Sequence, residues 1–248
     1  MLLTPSVLVG TKPQTGFNAL RDCQMLVLVG VTGVGKSTTL EALHQHGLGF
    51  RALPDRREIT DAVIFAGERV TDRAERFGRT AAFRRAHPGG MAQALERISV
   101  ALTPPILFDG LRGLAEVSYA AQAFPLTRFV ALDAPDTVRV SRLLGRGDAF
   151  DALHTSSGDA STLELLHAID GVHAVFSFPQ LISLAALPQA PSEIAAKVGI
   201  VVTERQHYDP VSTNAFLKAL PSQRALYANT ALEPAETVAR RIAAWWRA

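Results

Sequence analysis

The sequence predicts an α/β protein: three layers, α/β/α, around a mainly parallel sheet, with a helical insertion. Three observations predict it. Short apolar β-rich runs alternate with helical patterns from residue 25 to the end of the chain, the order that builds a parallel sheet with helices on both faces. One such run, at 25–29, leads straight into the glycine-rich stretch "GVTGVGKS" at 30–37. A helical pattern (Thr38, Leu40, Ala42, Leu43) follows it. Finally, 248 residues suffice for one large α/β domain with its own core, or for two small ones.

The first 24 residues hold Pro5, Pro13 and Gly16 and show no clear period. They read as a loosely held extension, dispensable for folding, ahead of a domain that spans 25–248. The opening "MLLTPSVLVG" is apolar, but too short to span a bilayer and without basic residues before it. Hydrophobic residues at 48% and charged residues at 19% describe a folded chain rather than a disordered one. A formal net charge of +2 argues against a nucleic-acid partner. Lysine occurs only at 12, 36, 197 and 218, so the basic residues are nearly all arginine, which suits bidentate phosphate contacts. Cys23 is the single cysteine; no intramolecular disulfide is available, and a reducing cytoplasm is the natural setting.

Residues 30–37 match G-x-x-x-x-G-K-[ST] at every fixed position. Gly30, Gly33 and Gly35 let the backbone turn its amides around anionic oxygens, and the following helix N-terminus adds positive potential. Lys36 is placed for β- and γ-phosphates and the Ser37 hydroxyl for Mg²⁺. Val31, Thr32, Val34 and Thr38 complete the cradle. On these residues the chain resembles the P-loop nucleoside triphosphate-binding proteins. The resemblance implies that ATP is bound with Mg²⁺.

An acid is then expected at a second strand end. "PPILFDGLRG" at 104–113 supplies Asp109 after an apolar run; such strand ends lie at the ligand edge of a parallel sheet. Asp109 alternatively caps the next helix. The residue after it is Gly110, where ATPases that drive motion carry a glutamate. No LSGGQ-like stretch and no N-K-x-D follows, and Arg112 stands three residues on. This resembles the nucleotide and nucleoside kinase branch, adenylate kinase-like or dephospho-coenzyme A kinase-like. There the acid handles metal or the acceptor hydroxyl and the arginine holds phosphate.

Within 128–151, residues 129–132 read as a strand, Pro135 as a turn, and the rest as an amphipathic helix carrying Arg139, Arg142 and Arg146 on one side. It resembles the lid of nucleotide kinases, with Arg142 and Arg146 as the residues that clamp the transferring group; a solvated, ion-paired helix face is the alternative. The lid region runs over 135–151. Segment 51–90, which by the resemblance binds the phosphate acceptor, carries Arg56, Arg57, Arg73, Arg76, Arg79, Arg84 and Arg85 among acids, then the turn "HPGG" at 87–90. Residues 152–197 read as a helical insertion. After it come a strand at 199–204, a helix at 212–220, a strand at 224–230 and a closing helix at 233–246. The turn after the last strand lies near adenine in these kinases, which makes Asn229 a nucleotide-binding candidate; an Asn229–Thr230 pair also caps helices well. No H-E-x-x-H, Cys/His ligand spacing or G-x-S-x-G elbow occurs.

The expected activity is an ATP-dependent phosphotransferase that transfers the γ-phosphoryl group to a small nucleotide, nucleoside or coenzyme-like acceptor. Lys36, Asp109, Arg112, Arg142 and Arg146 are the expected catalytic set, with Ser37 and Asp109 on the metal. The alternative is a regulatory, nucleotide-sensing ATPase that acts on a protein partner, favoured by the insertion.

Overall fold

A computed structural model describes residues 1–10, 14–46, 49–101, 105–145 and 161–248. Its chain begins with regular structure in a stretch that shows no period. β1 (Leu2–Thr4), β2 (Val7–Val9) and β3 (Asn18–Ala19) join the later β6 (Ile98–Val100) in an antiparallel sheet of order β1-β2-β6-β3. Val7, Val9 and Leu20 are buried in the main core. The segment 1–24, expected as a loosely held extension, thus has described residues that pair in a sheet and enter the core. The strands are two and three residues long, too short for alternation to show in sequence.

The central sheet is parallel throughout: β4 (Met25–Val29), β5 (Arg51–Ala52), β7 (Ile106–Phe108), β8 (Thr127–Asp133) and β9 (Ala225–Asn229), in the order β5-β7-β4-β8-β9. Alternate residues of each strand face opposite sides, as the pleat requires. Met25, Val27, Val29, Phe108 and Phe129 enter one core, while Leu26, Leu28, Leu107, Val130 and Leu132 enter a second. The first core is covered by α4 (Gly90–Leu95), α5 (Leu114–Ala123) and α11 (Pro210–Ala219). The second is covered by α1 (Lys36–Gln45) and α12 (Ala235–Arg247). These are the three layers. Along the first edge, α2 (Arg56–Ile59), a π-helical turn (Thr60–Ile64) and α3 (Arg73–Ala86) lead from β5 towards α4.

Between β8 and β9 stand α6 (Asp136–Leu144), α7 (Thr162–His167), α8 (Val172–Val175), α9 (Phe178–Ala185) and α10 (Pro191–Tyr208), followed by α11. They form a third core in which Val140, Leu143, Leu166, Phe176, Leu181 and Val198 meet. The strand expected at 199–204 is instead the last part of α10. The β-branched run Ile200 to Thr203 favours a strand locally. However, Ile194, Val198, Val201 and Val202 are buried at helical spacing, so packing overrides propensity. The helical insertion thus extends past 197, to α11. The part of the expected lid beyond α6, 146–151, lies outside the described residues. No described helix is long and apolar enough to cross a membrane.

Strand order reverses at β4, whose two neighbours, β7 and β8, lie on opposite sides of it. In open parallel sheets the crevice at the carboxyl ends, where order reverses, is where ligands bind. The loops after β4, β7 and β8 meet there.

Removing residues 1–10 should uncover the β6 edge and part of the first core. We expect the melting temperature to fall by more than about 5 °C, since each kcal/mol shifts a domain of this size by about 2–4 °C. An unchanged thermal melt would show the segment to be a dispensable extension after all.

Candidate functional site

The 30–37 loop is fixed by space and by backbone angle. A Cβ at Gly30 would lie 2.8 Å from the Leu132 carbonyl oxygen and 2.6 Å from Val34, so no side chain fits. Gly35, at φ 91°, is the N-cap of α1 in the left-handed region that favours glycine; it offers no side-chain cap, and the first turn carries no acid. The first-turn amides of α1 are therefore not satisfied by a capping side chain, the condition for anion binding at a helix N-terminus. The Lys36 ammonium donates to the carbonyls of Gly30 (2.7 Å) and Val31 (3.2 Å). Its pKa is lowered to about 8, first by burial and then by the Arg112 charge, while Asp109 and Glu204 oppose the shift.

Beside this loop opens a cavity of about 400 Å³, walled by Gly35, Thr38, Thr39, Arg142, Thr230 and Pro234. Arg142 is pinned across it. The guanidinium donates to Gly33 O (3.1 Å), Thr230 Oγ1 (2.9 Å) and Thr230 O (2.7 Å). Thr230 Oγ1 in turn donates to Val34 O at 2.8 Å. Thr230, not Asn229, faces the cavity: the Asn229 side chain turns back to accept from the Ala231 amide at 3.0 Å. Neither caps α12, whose N-cap is Pro234.

Asp109 stands at the opposite side of the loop, directly after β7, and its charge is felt by Lys36. It caps no helix, since the N-cap of α5 is Gly113. The next position has no room for a side chain: a Cβ at Gly110 would fall 2.2 Å from the Phe108 ring. The Gly110 carbonyl accepts from Arg56 at 2.5 Å, and Arg56 also forks onto the buried Glu116 carboxylate at 2.6 and 2.7 Å. Glu116 further accepts the Met91 and Arg112 amides, each at 3.3 Å. This buried knot fixes the 109–113 turn. The Arg112 guanidinium reaches Glu204 at 3.3 Å and lies over the Tyr208 ring; its buried Nε finds no acceptor among the described residues.

Glu204 and Arg139 are what the sequence reading missed or misplaced. Arg139, 1% exposed, donates to Thr32 O (2.8 Å), Asp136 (2.6 Å) and Glu204 (2.5 Å). Glu204 also accepts from the Thr32 amide (3.0 Å) and the Thr32 hydroxyl (2.5 Å). Arg205 closes the chain on Asp136 at 2.7 Å. Hence α6 is not a solvated arginine face: Arg139 is buried under the loop and Arg142 walls the cavity, while Arg146 lies outside the described residues. Glu204 was hidden inside the run taken for a strand; the helical spacing of Ile194, Val198 and Val201 was the signal that could have placed it on a helix.

The arginines of 51–90 are partly engaged within the fold. Arg76 pairs with Asp61 at 2.5 Å, Arg79 with Glu68 at 2.9 Å, and both lie over the Phe65 ring. His87 packs against Phe83. Among the described residues no group of three or more His, Cys, Asp or Glu could hold a metal ion.

Comparison with known proteins found no family model and no curated protein that matches this sequence. Solved structures aligned with it include an unliganded sugar kinase from Janibacter sp. HTCC2649. That alignment has 16% identity, covers 91% of this chain and 95% of the other, and has a TM-score of 0.38. Another is TT1252 from Thermus thermophilus, with 16% identity, coverage of 90% and 98% and a TM-score of 0.37. Both superpositions are loose.

The desolvated Lys36 has a testable consequence. With the folded pKa near 8 against 10.5 for an ordinary exposed lysine, the unfolded chain binds the proton more tightly. The resulting penalty is full below pH 8 and lifts as pH rises towards 10.5. Lys36→Met should therefore stabilise the ligand-free protein at pH 7, by roughly 1–3 kcal/mol. Denaturant melts at pH 7 and 10 should show that gain shrinking with pH; a destabilised Met variant at pH 7 would refute it.

Proposed function

We propose that the protein binds ATP and transfers its terminal phosphoryl group to a small acceptor of the nucleotide, nucleoside or coenzyme-like class. The observation that carries this reading is continuity. A cavity of about 400 Å³, large enough for a nucleoside, opens onto a glycine loop with uncapped amides and a lysine. Asp109 and Arg112 stand at the loop's other side. Arg142 and Thr230 wall the base, the 33–38 amides and Lys36 hold the phosphates, and Arg112 faces the terminal group as it spreads negative charge over its oxygens. Asp109 is placed to orient the acceptor hydroxyl. The Ser37 hydroxyl and Asp109 carboxylate are a hard oxygen donor set that fits Mg²⁺, which supplies charge neutralisation of the phosphates. Transfer is favoured over hydrolysis because Gly110 leaves no space for a water-polarising carboxylate. One observation favours the second reading, a nucleotide sensor. The helical insertion bonds directly to the loop through Glu204, as a partner-coupled ATPase would need.

Labelled ATP incubated with the protein, Mg²⁺ and a panel of nucleotides, nucleosides and coenzyme precursors decides between the two. Label on one acceptor supports the kinase; label only in inorganic phosphate supports the sensor; failure of Mg-ATP to bind refutes both. Lys36→Ala should abolish nucleotide binding while the fold is kept. The two arginines should separate. Arg112→Ala should lower kcat by about 10²–10³, as for loss of a preorganised transition-state donor. Arg142→Ala should act mainly on nucleotide affinity. Equal effects of both on kcat would show that the base end and the transfer end have been wrongly assigned.

A further inference from the structure

The crevice has a direction. The cavity lies beside Gly35, Thr38 and Thr230, whereas Arg112, Asp109 and Glu204 gather where all three act on Lys36. On the nucleotide reading above, a base in the cavity lays its phosphates along the loop, and the last one points to Thr32 and Arg112. That place already holds a negative charge. The Glu204 carboxylate, its side chain 9% exposed, takes a loop amide, a hydroxyl and two guanidinium groups, the donor set of a phosphate site.

Its partners are not held equally. Arg139 keeps Thr32 O and Asp136 as acceptors whether or not Glu204 is present. Among the described residues the Arg112 side chain makes one hydrogen bond, the long 3.3 Å contact to the Glu204 carboxylate, besides lying over the Tyr208 ring; it is one-third exposed and carries a buried Nε with no described acceptor. Buried donors are normally satisfied, so Arg112 sits in a geometry that its present partner does not complete. A terminal phosphate and the Glu204 carboxylate would repel strongly in so enclosed a site.

We propose that Glu204 is a resident anion in the terminal-phosphate subsite, displaced by a nucleoside triphosphate but not by a diphosphate. It keeps the Thr32 amide and Arg112 arranged for an anion, and its departure frees α10 from the loop. Glu204 is thereby a specificity-determining residue. It sets how strongly the site distinguishes three phosphates from two, and it links the helical insertion to the state of the nucleotide.

The test is calorimetric titration of the full-length protein and of Glu204→Gln with Mg-ADP and with a non-hydrolysable Mg-ATP analogue. Glutamine keeps the shape and removes the charge. The ratio of triphosphate to diphosphate affinity should rise about tenfold in the variant, a change of about 1.4 kcal/mol. A purely structural glutamate would alter both affinities alike, and an unchanged ratio overturns the proposal while leaving the nucleotide reading intact. If neither nucleotide binds the parent protein, both readings fall. Should the variant not fold, amide resonances of the parent protein give the answer. The Thr32 amide should move with the triphosphate analogue and far less with ADP; equal shifts overturn the proposal.

Discussion

Three cations, Lys36, Arg112 and Arg139, stand together at the carboxyl end of a sheet whose central strands, β4, β7 and β8, are largely buried, and the need to partner them shapes the loops and helices around them. Charges in such surroundings need partners. Arg139 has a full set, with Asp136 and Glu204 as its acids. Lys36 donates to two loop carbonyls, and burial first and the Arg112 charge second lower its proton affinity. The acids that answer this cluster come from separate parts of the chain: Asp109 from β7, Asp136 from α6 and Glu204 from α10. The cluster thus draws the helical insertion, the sheet and the glycine loop together, and among the described residues the buried Arg112 Nε is left without an acceptor.

Much of this was legible in the sequence, for identifiable reasons. The glycine loop could be read because steric and electrostatic demands leave few residue choices at 30, 35 and 36. The strand before it and the pattern around β9 and α12 could be read because each is long enough for its period to show; β7 has three residues and could be read because its apolar run ends abruptly in an acid and a glycine turn. The amino-terminal strands could not, since three residues carry no period. Glu204 was obscured by four β-branched neighbours whose local preference the third core outweighs. Arg139 and Arg142 were rightly given one helix, but spacing assigns a face and not a depth: one lies beneath the loop and the other beside the cavity.

The support around the site is as specific as the site itself. Arg56, Glu116 and the Gly110 carbonyl form a buried knot that holds the turn carrying Asp109 and Arg112. The π-helical turn that follows α2 places Phe65 beneath Arg76 and Arg79. The arginine-rich stretch after β5 is in part a framework, so arginine content alone is a poor map of where an anion binds.

The Phe108 ring that fills the space beside Gly110 also bears on how this chain can evolve. A descendant that acquired a water-activating acid at 110 would need a smaller residue at 108 in the same lineage. The 108 change alone opens a hole in the core, and the 110 change alone forces a steric collision. Either single step passes through a weakened protein, so selection working one substitution at a time meets a valley between the present turn and one that carries an acid at 110. An aromatic side chain buried in the core can in this way hold the residue two places after it unchanged across generations.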